Sequence, residues 1–312
     1  MARYLVTGGA GFIGSHLAHR LVADGHDVRV LDNLATGHRH NLAEVEREVE
    51  FIEGSFVDFD VCRRAVEGAD YVLHQGALPS VPKSIELPRE THAANVTGTL
   101  NLLVAARDAK VKRLVYAASS SAYGDTPTLP KVETMPAAPK SPYAVQKYTG
   151  ELYCRTFFES YGLETVALRY FNIFGPRQDP NSPYSAVIPR FVRACREGRA
   201  PTIFGDGTTS RDFTYIDNVV EANLRAATAP AACAGRVYNV ACGERIDLTT
   251  LAETIRKAVG RGAPPEYAPE RSGDVKHSLA DWRRAEEDLG YRPVVRFAQG
   301  IEKTVAWYLA QG

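Results

Sequence analysis

The sequence predicts an α/β protein built on a doubly wound parallel sheet, with a smaller, partly interleaved α/β substrate domain towards the C-terminus. Three observations predict this fold. Short apolar runs of strand length recur along the first half of the chain, stretches with helical spacing separate them, and a glycine-rich turn joins the first run to the first helical stretch. Such alternation is typical of parallel strands covered by helices on both faces.

The predicted strands are apolar runs of the kind that is buried on both faces of a sheet. They cover residues 4–7, 28–31, 49–53, 71–74, 113–118 and 165–170. The helical stretches that alternate with them cover residues 12–23, 61–66, 90–107 and 143–161. This order of elements favours a sheet of the Rossmann type.

After Asn172 the regular pattern gives way to turns rich in glycine and proline. Later elements are a helix over 218–227, a strand over 237–241, a helix over 248–259 and a closing amphipathic helix with Ile301, Val305, Trp307 and Leu309. We therefore expect a cofactor domain formed by residues 1–173 and 213–242. A substrate domain would comprise residues 174–212 and 243–312.

The composition excludes several classes of partner. The 312 residues carry 37 basic and 37 acidic side chains, so no net field attracts nucleic acid or an anionic membrane. No apolar run approaches the roughly 20 residues that span a bilayer. Because the first predicted strand follows Met1 closely, we expect no cleaved signal. The five cysteines are scattered without a close pair, which fits the cytoplasm. We expect a small-molecule partner.

Gly8, Gly11 and Gly14 follow the first predicted strand and lead into the first helix. Such a turn lets the backbone approach a pyrophosphate, and the helix start supplies free N–H groups. Asp32 ends the second strand, where a carboxylate can bind the ribose diol of NAD and would repel the 2′-phosphate of NADP. Arg39 lies nearby and is the residue that argues for NADP. The alternative is a tight turn without a ligand.

Tyr143 and Lys147 lie one helical turn apart after Ser141-Pro142, a helix entrance. A nearby positive charge can lower the tyrosine pKa by roughly 1 to 3 units, which makes the phenol a usable base. Ser119 opens a serine run at the end of the fifth strand, where ligands of such folds bind. Each feature alone is also typical of a surface pair or a polar turn; together they indicate a catalytic site.

These motifs resemble those of the extended short-chain dehydrogenases/reductases, and within them of the UDP-hexose 4-epimerases. The resemblance covers nearly the whole chain. The segments that carry it are residues 7–16, 32–34, 119–124, 169–176, 211–213 and 271–275, together with Tyr143 and Lys147.

The resemblance implies a catalytic set of Ser119, Tyr143 and Lys147. Tyr143 would take the proton of the sugar 4-hydroxyl, which Ser119 also hydrogen-bonds, while Lys147 would hold the nicotinamide ribose and lower the tyrosine pKa. Hydride would pass from sugar carbon 4 to NAD. The keto sugar would then turn over and take the hydride back on its other face.

The resemblance also implies the binding residues. Asp58 and Phe59 would flank the adenine, and Asn172 and Arg211 would bind the substrate diphosphate. The cofactor set is Gly8, Gly11, Phe12, Ile13, Gly14, Asp32, Asn33, Thr36, Gly37, Asp58, Phe59, Gln75, Gly76, Ala77, Asn95, Tyr143, Lys147 and Tyr170. The substrate set is Ser80, Ser119, Ser120, Ser121, Tyr143, Asn172, Val187, Ile203, Phe204, Arg211, Arg271, Asp274 and Ser278.

Three positions bear on which group of relatives the chain resembles most. Related dehydratases have an Asp-Glu pair at positions 120 and 121, where this chain has serines. Ser278 aligns with a wall residue that is tyrosine in glucose-restricted epimerases, so the chain is most similar to UDP-N-acetylglucosamine 4-epimerases. It departs from them at Gly76 and Pro79, where they usually have Ala and Gly.

The sequence leaves other substrates and another class of function open. The substrate can be UDP-glucose or UDP-glucuronate, and a non-catalytic NAD(H)-binding sensor is the alternative of another class. The resemblance further suggests a homodimer packed through the helices over 90–107 and 143–161. We expect no metal site, and we expect the histidine pairs 16/19 and 38/40 to be solvated.

Overall fold

The computed structural model describes residues 1–179, 186–270 and 276–311. Seven strands of these residues form one parallel sheet in the order β11-β6-β5-β4-β1-β2-β3. Their bounds are Arg3–Thr7 (β1), Asp27–Asp32 (β2), Val49–Glu53 (β3), Tyr71–His74 (β4), Arg113–Ser119 (β5), Glu164–Tyr170 (β6) and Arg236–Val240 (β11). The predicted doubly wound sheet is confirmed.

Helices cover both faces of the sheet. Their bounds are Phe12–Ala23 (α1), Phe59–Val66 (α2), Val81–Glu86 (α3), Pro88–His92 (α4), Thr99–Asp108 (α5), Pro142–Tyr161 (α6), Val187–Arg196 (α7), Ile216–Thr228 (α8), Leu248–Val259 (α9), Arg283–Leu289 (α10) and Phe297–Ala310 (α11). Short 3-10 segments lie at Arg39–Val45, Ser120–Tyr123 and Ala231–Cys233.

The stretch predicted to be helical over 90–107 is helical, but it is not one regular α-helix. The chain forms α4, then a π-helical turn at Ala93–Gly98, and then α5. The Asn95 side chain bonds the Leu78 backbone, and Gly98 lies against the Phe56 ring. We infer that these tertiary contacts favour the wider turn, which apolar spacing alone does not reveal.

Three short pairs of strands lie beyond the main sheet. Ile173–Phe174 (β7) pairs with Thr214–Tyr215 (β10), and Ser210–Asp212 (β9) pairs antiparallel with Arg245–Asp247 (β12). Thr202–Phe204 (β8) pairs with Glu266–Ala268 (β13). Since β11 returns to the large sheet after this excursion, the second part is interleaved with the first, as predicted. The residue boundaries of the two domains stay a prediction.

Side chains alternate between two apolar cores on opposite faces of the sheet. In β1, Tyr4 and Val6 belong to one core and Leu5 to the other, and all three are buried. The strands are rigid because both faces are covered. The carboxyl ends of β1, β2, β4, β5 and β6 therefore form a fixed edge on which functional groups can be placed.

Within the described ranges, every helix is too short or too polar to cross a bilayer. The five cysteines are buried and unpaired.

Candidate active site

The glycine turn between β1 and α1 leaves no room for side chains. Gly8 has φ +65°, and a Cβ there would lie 2.8 Å from the Gly76 backbone. A Cβ on Gly14 would overlap the Gly8 carbonyl oxygen. Helix α1 begins after Gly11 without a side-chain cap, so its first N–H groups are directed at a ligand position. This cradle fits a pyrophosphate.

Asp32 lies beside this turn at the end of β2 and is 7% exposed. Its carboxylate accepts hydrogen bonds from Ala10 N at 3.0 Å and Leu34 N at 2.8 Å. Burial raises the pKa of Asp32, and the two N–H donors oppose that rise. Each carboxylate oxygen keeps a further lone pair, so the group can still accept ribose hydroxyls. Residues Asn33, Thr36 and Gly37 continue along this rim.

A closed ring of three hydrogen bonds joins the end of β4, the end of β6 and helix α8. Tyr170 Oη donates to Gln75 Oε1 at 3.0 Å, Gln75 Nε2 donates to Asn223 Oδ1 at 2.9 Å, and Asn223 Nδ2 donates to Tyr170 Oη at 2.8 Å. The structure thus brings the predicted residues Gln75 and Tyr170 together. It adds Asn223 of α8, which the sequence reasoning missed although a buried asparagine on an apolar helix face is itself a signal.

Asn95 is buried and acts on the loop over 76–80 instead of facing open space. Its amide bonds both the N–H and the carbonyl of Leu78, and its Nδ2 also donates to Gln146 Oε1 at 2.9 Å. The loop that carries Gly76, Ala77 and Ser80 is therefore tied to the helix of Tyr143. Ser80 itself is buried and caps α3 through Lys83 N.

Ser119, Tyr143 and Lys147 meet at the end of β5. Ser119 Oγ accepts hydrogen bonds from Ser121 N at 3.2 Å and from Ser121 Oγ at 2.8 Å. Because both lone pairs are used, the Ser119 proton is left to donate, and its hydrogen bond to Tyr143 lowers the pKa of that phenol. Ser141 caps α6 through Ala144 N, which fixes the turn that carries Tyr143.

The expected lowering of the tyrosine pKa by Lys147 is not found in this structure. Burial raises the pKa of Tyr143 above its ordinary value, and only Ser119 opposes this. Lys147 Nζ instead donates to Ala117 O at 2.8 Å and lies 4.9 Å from the centre of the Tyr116 ring. Burial lowers the pKa of Lys147 to about 8.

A cavity of about 290 Å³ lies beyond the end of β6. Asn172, on its wall, is two residues past Tyr170, which pairs with Ser119 of β5. Predicted residues on its wall are Asn172, Val187, Phe204 and Arg211. Arg190, Thr202, Thr209, Leu248 and Glu270 also line it and were missed. The apolar spacing of Ile188, Phe191, Val192 and Cys195 was an available signal for α7, which carries part of this wall.

Several predicted residues lie elsewhere. Ile203 does not line the cavity; it is fully buried in the core because alternation along β8 turns Thr202 and Phe204 to the cavity and Ile203 away. Arg271 and Asp274 lie outside the described residues. Asp58 caps α2 through Asp60 N and Val61 N, with exposed Phe59 beside it.

The histidines differ from the expectation in part. His38 and His40 are exposed and stack on each other. His16 and His19 are not simply solvated: His16 Nε2 lies 3.0 Å from Pro176 O and His19 Nε2 lies 2.9 Å from Asn41 O. Burial lowers the pKa of His16 to about 4. Among the described residues, no group of three or more His, Cys, Asp or Glu side chains is arranged to hold a metal ion.

The parallel sheet, the glycine cradle and the Ser–Tyr–Lys set define a nicotinamide-dependent enzyme of the extended short-chain dehydrogenase/reductase class. The model of the NAD dependent epimerase/dehydratase family matches residues 4–241, and the chain belongs to that family. Its cofactor is NAD, in agreement with the carboxylate of Asp32.

Relatives and solved structures extend this likeness over the whole chain. The UDP-glucose 4-epimerase of Mycolicibacterium smegmatis is 41% identical over 310 residues, with 98% of each chain covered. A UDP-N-acetylglucosamine 4-epimerase from Methanobrevibacter ruminantium, solved with UDP-N-acetylmuramic acid, is 39% identical with a TM-score of 0.95; 100% of this chain and 99% of that chain are covered. The UDP-glucose 4-epimerase of Thermus thermophilus, solved with NAD, is 37% identical with a TM-score of 0.89, covering 99% and 100%.

Proposed function

We propose that this chain is an NAD-dependent UDP-sugar 4-epimerase, an isomerase, whose substrate pair is UDP-N-acetylglucosamine and UDP-N-acetylgalactosamine. The observation that carries the proposal is the meeting of Ser119, Tyr143 and Lys147 at the end of β5. The glycine cradle follows β1 at the same edge of the sheet, and Asn172 of the cavity wall lies just past β6, the strand next to β5.

The chain's own groups account for the proton transfer. Tyr143 takes the proton of the sugar 4-hydroxyl. The Ser119 proton, which bonds Tyr143 in the structure, would be donated instead to the sugar oxygen when the substrate is bound, because both lone pairs of Ser119 are occupied. NAD, when bound, supplies an oxidised nicotinamide ring that takes up a hydride and gives it back. Lys147, one helical turn after Tyr143, holds a buried positive charge beside Ala117 O. The same groups return the proton after the sugar has turned.

The serine run argues against elimination. Ser121 is engaged with Ser119, and neither Ser120 nor Ser121 has a carboxyl group that can remove water from the neighbouring sugar carbons. A ketone formed here is therefore expected to be reduced again, which favours epimerisation over dehydration.

The N-acetylated substrate is supported by Ser278. This small residue lies against Asn172, whose Nδ2 donates to Ser278 Oγ at 3.1 Å. By the resemblance, glucose-restricted epimerases have a tyrosine at this position, and the smaller serine would leave room beside Asn172 for an N-acetyl group. The likeness to the Methanobrevibacter enzyme supports the same substrate, while the likeness to the Mycolicibacterium enzyme keeps UDP-glucose as the second candidate. UDP-glucuronate would need a cation facing sugar carbon 6.

The test is product analysis with purified protein and no added cofactor. UDP-N-acetylglucosamine, UDP-glucose and UDP-glucuronate are incubated separately, and the anomeric and ring protons are followed by NMR. We expect the galacto epimer of the first sugar to form fastest. Faster conversion of another sugar would reassign the substrate, and an inert protein that retains NAD would favour the sensor.

We further propose a cytoplasmic homodimer. The five unpaired, buried cysteines fit a reducing compartment. Helix α6 exposes Val145 (49%), Leu152 (47%) and Tyr161 (55%), an apolar surface that a second copy would cover.

A further inference from the structure

The segment Arg211-Asp212-Phe213 contains a carboxylate that the proposed chemistry does not use. Along β9 the side chains alternate, so Arg211 lines the cavity while Asp212 turns inward and is fully buried. A buried charge is costly unless it is hydrogen-bonded. The surroundings of Asp212 therefore indicate what this carboxylate does.

Asp212 joins two segments to its own strand. Its Oδ1 accepts a hydrogen bond from Cys242 N, and its Oδ2 accepts from Gly243 N and Ala280 N, each at 3.1 Å. Cys242 and Gly243 lie in the turn that follows β11, and Ala280 lies two residues after Ser278. One side chain thus connects strand β9 to both segments.

The main chain of Asp212 completes the arrangement. Its carbonyl accepts a hydrogen bond from Asn172 Nδ2 at 2.9 Å, and its N–H donates to Ser278 Oγ at 3.3 Å. Asp212 is therefore linked to three residues of the predicted substrate set. It is hydrogen-bonded to Asn172 and Ser278, and it follows Arg211 in the chain.

We propose that Asp212 is a positioning residue that holds Arg211, Asn172 and Ser278 in the geometry that binds the diphosphate of the nucleotide. The inference deepens the proposed function and rests on it for the identity of the ligand. A merely structural carboxylate would serve the whole fold, whereas two residues tied to Asp212 line the same cavity: Asn172 through its hydrogen bond and Arg211 through the chain.

The charge state of Asp212 is consistent with this role. Burial raises the pKa of Asp212 to about 6, although the backbone N–H donors oppose the rise. Other titratable groups whose charges act across this region are the Cys242 thiol, Glu244, the Tyr291 phenol and Arg296. At neutral pH the carboxylate is ionised and can accept all of its bonds.

The test is Asp212→Asn in the NAD-loaded protein, with UDP as the probe in calorimetry. The amide presents an NH₂ group to backbone N–H donors, so at least one of these bonds is lost. We expect the Kd for UDP and the KM for the UDP-sugar to rise at least about tenfold, the equivalent of one buried hydrogen bond. We expect kcat at saturation and the amount of bound NAD to be retained. Asp288→Asn is the matched control, since Asp288 is a carboxylate on α10 that likewise accepts a hydrogen bond from a buried group, the Tyr238 phenol.

Unchanged UDP affinity in Asp212→Asn would overturn the proposal, as would parallel losses of kcat, NAD and UDP binding, which indicate a general structural role. If that variant does not fold, Ser278→Ala decides, because it removes only the hydroxyl that joins Asp212 N to Asn172. We expect weaker UDP binding; wild-type affinity would contradict the inference. If the protein binds UDP in this Asp212-dependent way but epimerises no sugar, the proposed function is wrong and the role of Asp212 in UDP binding stands.

Discussion

The phenol of Tyr143 is the residue on which the proposed chemistry depends. It lies in the first turns of α6, and its pKa is raised by burial and lowered only by Ser119. Without a bound cofactor the phenol is therefore protonated at neutral pH. We infer that the site becomes basic only when positive charge arrives with NAD, which couples proton removal to the presence of the hydride acceptor.

Replacing Tyr143 by Phe removes a single oxygen. We expect Tyr143→Phe to reduce kcat by roughly 10²-fold or more, the usual contribution of a positioned acid or base. Bound NAD, measured by chromatography after denaturation, should be unchanged. Tyr148→Phe on the same helix is the control and should retain activity. A Tyr143→Phe enzyme with normal turnover would rule out this base.

The burial of Lys147 leads to a separate prediction, about the stability of the fold. Its pKa is lowered to about 8 from 10.5, so the folded protein carries the cost of a buried ammonium below pH 8. Lys147→Met should then be inactive, yet at least as stable as wild type at pH 7, by up to about 3 kcal/mol. Above pH 8 the folded wild type loses the proton that the unfolded chain still binds, so this advantage should shrink between about pH 8 and 10.5.

Chemical denaturation of the cofactor-free proteins at several pH values measures this difference. Lys140→Met is the control, because Lys140 is 65% exposed and should change stability by less than about 0.5 kcal/mol. We expect the free energy of unfolding of Lys147→Met, minus that of wild type, to be larger at pH 7 than at pH 10. A difference that is smaller at pH 7 would contradict this prediction.

Contacts between elements explain why position 76 holds a glycine in this chain. A Cβ at position 76 would lie 2.5 Å from Phe56 Cε1. The other side of that ring lies against Gly98, in the π-helical turn that carries Asn95, and its edge meets His74. The aromatic ring fills the space that a larger residue 76 would need, and it links the end of β4 to the helix that follows.

This packing predicts a coupled pair of substitutions. Gly76→Ala should destabilise the fold by about 1–3 kcal/mol, since the confined Phe56 ring cannot move away. In a Phe56→Leu background the same change should cost at least about 1 kcal/mol less. Chemical denaturation of wild type, Gly76→Ala, Phe56→Leu and the double variant gives the coupling free energy between the two positions. Gly25→Ala is the control; its Cβ meets no atom within 4 Å, and its cost from φ +77° should be equal in both backgrounds.

At the scale of the whole molecule, the two parts of the chain are joined at the site itself. Strand β11 lies in the large sheet, and the turn after it bonds Asp212 of the second part. Phe174, Phe213 and Phe297 pack together in the same core as Val6 and Val166. The cofactor cradle and the substrate cavity are thus held by one continuous core.

The exposed apolar face of α6 predicts the assembly. We expect the wild-type protein to have twice the mass of one chain in light scattering after gel filtration. Leu152→Glu would place a charge within the interface and should give monomers. Leu309→Glu is the control, because Leu309 is similarly exposed (42%) on α11. A wild-type monomer, or a dimer that resists Leu152→Glu, would contradict an interface on this face.

Local sequence patterns were sufficient to predict the large sheet and the cofactor turn. Strands β3 and β4 and helices α1 and α9 have the predicted bounds, and the triplet Gly8, Gly11 and Gly14 lies where expected. These features depend on residues that are close together in the sequence. The patterns are the spacing of apolar residues, the glycines between a strand and a helix, and a carboxylate at the end of a strand. Asp32 and the Tyr143/Lys147 pair belong to the same kind of pattern.

Only the tertiary structure decided the rest, because it depends on groups far apart in the chain. The hydrogen-bonded ring of Gln75, Tyr170 and Asn223, the inward turn of Ile203 and the π-helical turn at Ala93–Gly98 have no local signature. The same holds for the raised pKa of Tyr143 and for the bonds of Asp212, since burial and hydrogen-bond partners are set by packing. The sequence by itself determined the class of cofactor turn and the reactive residue types; packing determined their charge and orientation.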